Sequence, residues 1–231
     1  MSGDDLNRSP PRLPLILTFF RRQSKTDDST QFKEKRRIIV FGAAKVGKST
    51  IIKQFLFNQF TKRHIKTVED FYVSDYNLST GASLTLEILD TSGTFQFPAM
   101  RALSISHGNA FLLVFSVHDE DSWKEIEELR QQIVCARDAD IPIVIAANVF
   151  EENERRVDRK IVEEAVERWG CGYIECNAKK NAKIVEVFER ILTQSNIDYD
   201  LTEAISRRRQ SLPIYSGKNR MKHTNDHQRK A

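Results

Sequence analysis

Apolar and polar positions along the chain fall into alternating blocks. Arg37-Ile-Ile-Val-Phe41, Leu84–Leu89, Ala110-Phe-Leu-Leu-Val-Phe-Ser-Val117 and Ile141-Pro-Ile-Val-Ile-Ala-Ala147 are short, nearly continuous apolar runs. That is the pattern of strands buried on both faces of a parallel sheet. Pro142, near the start of its run, is tolerated there. Between the runs, apolar residues recur at helical spacing: Ile51, Ile52, Phe55 and Leu56, then Ile126, Leu129 and Ile133. Ile161, Val162, Ala165, Val166 and Trp169 form a third stripe, and Ile184, Val187, Phe188, Ile191 and Leu192 a fourth. Ser122 with Glu125 three residues on predicts a capping box for the second helix, and Asp158 opens the third. Tyr173–Cys176 predicts a further short strand. Phe71–Asp90 predicts two antiparallel strands joined around Ser79-Thr-Gly-Ala82. Strands alternating with helices imply an α/β fold of three layers, with ligands at the carboxyl ends of the strands.

The pattern bounds one compact domain at 35–198. The first 34 residues, with Asp4, Asp5, Pro10, Pro11, Asp27 and Asp28, predict a disordered arm; its one apolar stretch, Leu13–Phe20, is too short to span a membrane. Charge changes the picture only at the far end. From Ser206 onward eight Lys/Arg face one acidic residue, a balance of +7 against +4 for the whole chain, so residues 1–205 carry −3. Residues 199–231 therefore predict a basic, disordered tail. Three cysteines, Cys135, Cys171 and Cys176, have no metal spacing and suit a reducing cytosol. Hydrophobic content of 40% supports a sizeable core.

The candidate chemistry sits where strands end. Gly42-Ala-Ala-Lys-Val-Gly-Lys-Ser49 is a complete G-x-x-x-x-G-K-[ST] phosphate loop between a strand and a helix. Backbone N–H groups of Gly42, Ala43, Ala44, Lys45, Val46, Gly47, Lys48, Ser49 and Thr50 would converge on a phosphate chain, helped by the positive end of the helix. Lys48 would reach the β- and γ-phosphates, and the Ser49 hydroxyl would ligate Mg²⁺. Asp90-Thr-Ser-Gly93 ends the next strand, 41 residues beyond Ser49. Asp90 there can hold a magnesium-bound water, and Gly93 can offer its N–H to a γ-phosphate. Asn148 and Asn177-Ala-Lys179 each end a later strand and can rim a base pocket. A small-molecule kinase would instead need an arginine-rich lid between the central strands, where the chain has Thr67 and Asp90-x-x-Gly93.

These elements in this order, Gly42–Ser49, Thr67-Val-Glu-Asp70, Asp90-Thr-Ser-Gly93, Asn148 and Asn177-Ala-Lys179, resemble the Ras-type small GTPases over essentially all of 35–198. Asp90–Met100, continuing to Leu103-Ser-Ile-Ser106, is most similar to the Di-Ras and Rhes/Dexras branch. The resemblance implies a P-loop NTPase fold: a mostly parallel six-stranded sheet with one antiparallel edge strand. It implies a monomeric GTPase with GTP/GDP and Mg²⁺ as ligands. It assigns Thr67 to Mg²⁺ and γ-phosphate, and Phe60 to stacking on guanine. It assigns Asn148 to the guanine edge, Ala178 to the guanine carbonyl through its backbone, and Lys179 to packing beside the base. Effectors would bind through 62–72 and 94–103, and exchange factors would act on the same protein.

Four departures from the family pattern shape the expected activity. Ala44 replaces a glycine next to the γ-phosphate, so a methyl group crowds the space for an attacking water and an arginine finger. Thr94 replaces the glutamine that orients that water and is too short for the task. Both predict slow hydrolysis, with a non-hydrolysing nucleotide-binding scaffold as the alternative. The base-reading motif Asn-Lys-x-Asp is Asn148-Val-Phe-Glu151, which keeps a carboxylate but loses the lysine, so guanine preference should weaken. Lys62, Arg63, His64 and Lys66 make the approach to Thr67 basic, suiting either a solvated loop or acidic partners. The chain ends Gln228-Arg-Lys-Ala231 and starts Met1-Ser2, so no lipid anchor is expected. The expectation is a cytoplasmic protein whose basic tail touches anionic membrane or nucleic acid weakly and transiently, or carries it to the nucleus. Arg207-Arg-Arg-Gln-Ser211 also fits a basophilic kinase site.

Overall fold

The computed structural model describes residues 33–61, 67, 69–78, 81–93, 98–137, 140–150, 154–195 and 201–211. The elements run β1 (Lys33–Phe41), α1 (Lys48–Phe57), β2 (Glu69–Asn77), β3 (Ser83–Thr91), α2 (Pro98–His107) and β4 (Ala110–Ser116). They continue with α3 (Glu120–Ala136), β5 (Ile143–Asn148), α4 (Arg159–Trp169), β6 (Gly172–Cys176), α5 (Ile184–Gln194) and α6 (Leu201–Ser211). The six strands form one sheet in the order β2-β3-β1-β4-β5-β6. Only the β2–β3 pair is antiparallel, with Tyr72 opposite Ile88 and Asn77 opposite Ser83. The expected architecture is the one found.

Side chains of the central strands divide by parity, because successive residues point to opposite faces. Ile38, Val40, Leu112 and Val114 join α1, α5 and α6 on one face, while Ile39, Phe41, Phe111, Leu113 and Phe115 join α2, α3 and α4 on the other. Phe55 of α1 stacks on Phe188 of α5 at 3.8 Å between ring centroids. Phe115 meets Trp123 edge-on at 5.0 Å. With both faces covered, β4 and β5 are buried at every position, which is why they read as unbroken apolar runs.

Three local expectations are corrected. The N-cap of α3 is Asp119, which accepts from the N–H groups of Asp121 and Ser122, and not Ser122 itself. Ser122 is buried in the first turn, where its hydroxyl accepts from Ser116 N–H at 3.1 Å and donates to Asp119 O at 2.6 Å. Asp158 does cap α4, accepting from Lys160 N–H at 2.9 Å. Ile161, however, is exposed beyond the buried stripe of Val162, Ala165 and Val166.

The third correction concerns 199–231: residues Leu201–Ser211 of the expected disordered tail form α6. Leu201, Ala204 and Ile205 lie on one helical stripe and are buried against the α1/α5 face. Arg209 Nη2 donates to Gln54 O at 2.9 Å and Phe55 O at 2.7 Å at the end of α1, where Gln54 O also accepts from Asn58 N–H at 3.0 Å. The Arg208 guanidinium lies 5.5 Å from the centre of the Tyr76 ring. Strand β1 likewise starts at Lys33, inside the expected 34-residue arm. Residues 1–32 and 212–231, with Leu13–Phe20 among them, lie outside the described residues. Among the described residues, no helix is long and apolar enough to cross a membrane.

Burial of Ile205 gives α6 a measurable weight. Ile205→Ala is expected to lower stability by about 2 kcal/mol, the low end for a buried isoleucine because the site lies at the edge of the core. Urea denaturation of the full chain checks it, and an unchanged midpoint would show that α6 adds nothing to the fold.

Candidate functional site

The phosphate loop follows β1, the strand flanked by β3 and β4. Its shape depends on two glycines. Gly42 has φ +137°, and a Cβ on it would lie 2.0 Å from Val114 O; Gly47 has φ +106°, and a Cβ would lie 2.3 Å from Asn148 Nδ2. No other residue fits either position. Lys45 also has a positive φ, +65°, which is costly for a side chain with a Cβ. Gly47 caps α1 without any side-chain acceptor, so the first N–H groups of the helix stay free to meet an anion.

Lys48 and Ser49 start α1 and point back at this loop. Lys48 Nζ donates to Gly42 O and Ala43 O, each at 2.7 Å. Burial pulls its ammonium down to a pKa of about 8, against the opposing pull of Asp90 and Glu125. Ser49 Oγ lies 3.0 Å from Thr67 Oγ1, 18 positions along the chain. Asp90, next to last in β3, is fully buried, and neither carboxylate oxygen has a hydrogen-bond partner among the described residues. Burial pushes its carboxyl up to about 6, with the Ser49 hydroxyl and Lys48 pulling the other way. A buried, orphaned carboxylate beside two hydroxyls is the hard oxygen donor set that suits a small divalent cation. The residues present therefore fit Mg²⁺, which Ser49, Thr67 and, directly or through water, Asp90 would hold.

Gly93 packs on the phosphate loop: a Cβ there would lie 2.4 Å from both N and Cα of Ala44. This close approach places Gly93 against Ala43–Ala44. Thr94 and Glu151 lie outside the described residues, as do 62–66 and Gln96.

The other side of the loop meets the ends of β5 and β6. Asn148, fully buried, donates from Nδ2 to Val46 O at 2.8 Å and accepts at Oδ1 from Ala178 N–H at 3.1 Å. It ties the phosphate loop to the β6–α5 connection, and one amide hydrogen and one lone pair remain for a ligand. The Ala178 N–H is thus already directed to Asn148, while Ala178 O accepts from Gln54 Nε2 at 2.9 Å. Asn177 shapes its turn by accepting from Lys180 N–H at 2.9 Å. Lys179 is exposed beside it. Phe60 is 41% exposed, two residues past Asn58, whose Oδ1 accepts from Asn181 Nδ2 at 2.6 Å. That bond holds the segment leading to Phe60 against the loop that carries Lys179.

Two participants had no signature in the sequence. Gln54 lies on the buried stripe of α1 as one polar residue among apolar ones, yet it braces Ala178. Glu125, expected to complete a capping box, is half-buried on α3, near enough to Lys48 to feel its charge. Burial pushes it up to about 7, opposed by Lys48 and Arg101.

Residues 37–197 match the Ras family. The chain belongs to that family. Among curated Ras relatives, the GTP-binding protein Di-Ras1 of Homo sapiens is 38% identical over 159 residues, 68% of this chain and 80% of the relative. The human GTP-binding protein Rhes is 36% identical over 192 residues, 78% of this chain and 72% of the relative. The GTP-binding protein drn-1 of Caenorhabditis elegans is 38% identical over 160 residues, 68% of this chain and 73% of the relative. These are the branches of the Ras family that Asp90–Ser106 resembles.

Proposed function

We propose that the chain is a guanine-nucleotide switch that binds GTP and GDP with Mg²⁺ and hydrolyses GTP slowly. The observation that carries this reading is the meeting of Ser49 Oγ and Thr67 Oγ1 at 3.0 Å, on a phosphate loop beside the partnerless Asp90 carboxylate. Thr67 stands two residues before β2, so a ligand that engages its hydroxyl acts on the start of that strand. That is the coupling a switch needs. A bound Mg²⁺ would supply charge neutralisation for the β- and γ-phosphates. Lys48 binds the same phosphates, Gly47 and the N-terminal turn of α1 offer N–H groups, and Asn148 with Asn177-Ala-Lys179 frames the base. The relatives named above are all GTP-binding proteins, which supports guanine as that base.

Slow turnover follows from Ala44, whose Cα and N abut Gly93, and from Thr94 in place of a water-orienting glutamine. The tightness of the Ala44–Gly93 contact also favours a second reading, a nucleotide-holding scaffold without turnover. Single-turnover hydrolysis separates the two. Effectors dock through 62–72 and 94–103, where β2 and α2 expose Phe71, Met100 and Leu103. Exchange factors act on the same surface, and the basic residues beyond 211 give weak, transient contact with anionic lipid or nucleic acid. The protein works as a cytoplasmic monomer that visits membrane or nucleus.

The test of nucleotide identity is direct. Purified full-length protein is denatured and its released nucleotide separated by chromatography. GDP or GTP in near-stoichiometric amount is expected; ATP, ADP or no nucleotide would overturn the reading.

A further inference from the structure

The far end of α1 is a junction between α6 and the turn that follows β6. From α6, one guanidinium nitrogen of Arg209 donates to two successive carbonyls, Gln54 O at 2.9 Å and Phe55 O at 2.7 Å. A positive charge suits this end of a helix, where the carbonyl dipoles converge. Two side chains reach from the same end in the other direction. Gln54 donates from Nε2 to Ala178 O at 2.9 Å, and Asn58 Oδ1 accepts from Asn181 Nδ2 at 2.6 Å. The residue whose carbonyl Arg209 holds is therefore the residue whose side chain braces Ala178.

The turn 177–181 in turn seats Asn148. Ala178 N–H donates to Asn148 Oδ1 at 3.1 Å, and Asn148 Nδ2 donates to Val46 O at 2.8 Å. A run of hydrogen bonds thus joins α6 to the phosphate loop through Gln54, Ala178, Asn148 and Val46. All four of these residues are buried, so solvent does not stand ready to replace a bond that is drawn out. A buried amide is only as well placed as the backbone that carries it. The Gln54 backbone has Arg209 on its carbonyl.

We propose that Arg209 is a positioning residue for base binding: by gripping the end of α1 it holds Gln54 against Ala178, and so keeps the 177–181 turn seated on Asn148. The inference rests on the reading above that Asn148 and Asn177-Ala-Lys179 frame the base. It assigns to the helix beyond the family match a part in nucleotide retention. A residue that merely stabilised the fold would act independently of Gln54; a positioning residue acts through it, and the two effects cannot then be additive.

The experiment measures release of fluorescent GDP from the full chain and from Arg209→Met, Arg209→Lys, Gln54→Met and the Arg209→Met/Gln54→Met pair. Met keeps an apolar stem at either position and removes the donor. Arg209→Met should speed release by about fivefold, within the range for residues that modulate coupling between distant sites. Arg209→Lys keeps an ammonium donor and should recover most of the loss. Gln54→Met should also speed release, and the pair should release no faster than Gln54→Met alone. Amide exchange at Ala178 should quicken in Arg209→Met and return towards wild type in Arg209→Lys. If Arg209→Met does not fold, Arg209→Lys carries the same comparison, and its smaller increase must vanish in the Gln54→Met background. Unchanged release in Arg209→Met, or an effect that multiplies with that of Gln54→Met, would overturn the role of Arg209 alone. A wild type that does not retain GDP would overturn the nucleotide reading and the inference with it.

Discussion

Lys48→Ala is expected to lower affinity for GDP and GTP by on the order of 100-fold, the worth of one or two charged hydrogen bonds to phosphate. The lysine is buried, and its ammonium is held at 2.7 Å from two loop carbonyls, so it is placed before any ligand arrives. Removing it takes away a phosphate partner and leaves the Gly42 and Ala43 carbonyls without their donor. Ser49→Asn should act through a different term. The hydroxyl that meets Thr67 at 3.0 Å is lost, so the defect should fall on the Mg²⁺-dependent part of the affinity. Titration of each variant with fluorescent GDP, with Mg²⁺ and with chelator, distinguishes them. Lys48→Ala should weaken binding in both conditions, Ser49→Asn only when Mg²⁺ is present. Retention of wild-type affinity by both would sink the site assignment.

The second large effect is on rate. Ala44→Gly together with Thr94→Gln should raise single-turnover GTP hydrolysis more than either change alone, because water and arginine finger share one assembly. The first change falls where Gly93 meets the phosphate loop: a Cβ on Gly93 would come within 2.4 Å of Ala44 N and Cα. An activating protein's finger is worth about 10³–10⁵ in rate where the site admits it, so the doubly changed protein should respond to one and the wild type barely. A wild-type rate equal to that of the double variant would mean another residue orients the water, with Gln96 the first to examine.

Much of this molecule could be read from residue pattern because its strands are buried on both faces. Ala110–Ser116 and Ile143–Asn148 have no solvent face to dilute the apolar run, and the phosphate loop has a spacing that few other backbones require. What escaped depends on partners distant in sequence. Arg209 reaches Gln54 and Phe55 across more than 150 positions, and the apolar side of α6 is only Leu201, Ala204 and Ile205 within a strongly charged stretch. Local composition there points to solvent, and the tertiary contact decides otherwise. Ser122 misled for a related reason. Its hydroxyl satisfies groups at the end of β4, so Asp119, three residues earlier, takes the cap. The bond from Phe150 N–H to His118 Nε2 at 2.8 Å is invisible in sequence because a lone histidine after a strand has many uses.

The family match stops at residue 197, and α6 starts at 201. A protein truncated at the family boundary would therefore lose the guanidinium that caps α1 and uncover the face on which Leu201 and Ile205 rest. Helix α1 carries Lys48 and Ser49 at its other end, so such a fragment would report the nucleotide affinity of a helix loosened at its far terminus. Kinetic comparisons with shorter relatives are meaningful only for a fragment that runs through Ser211.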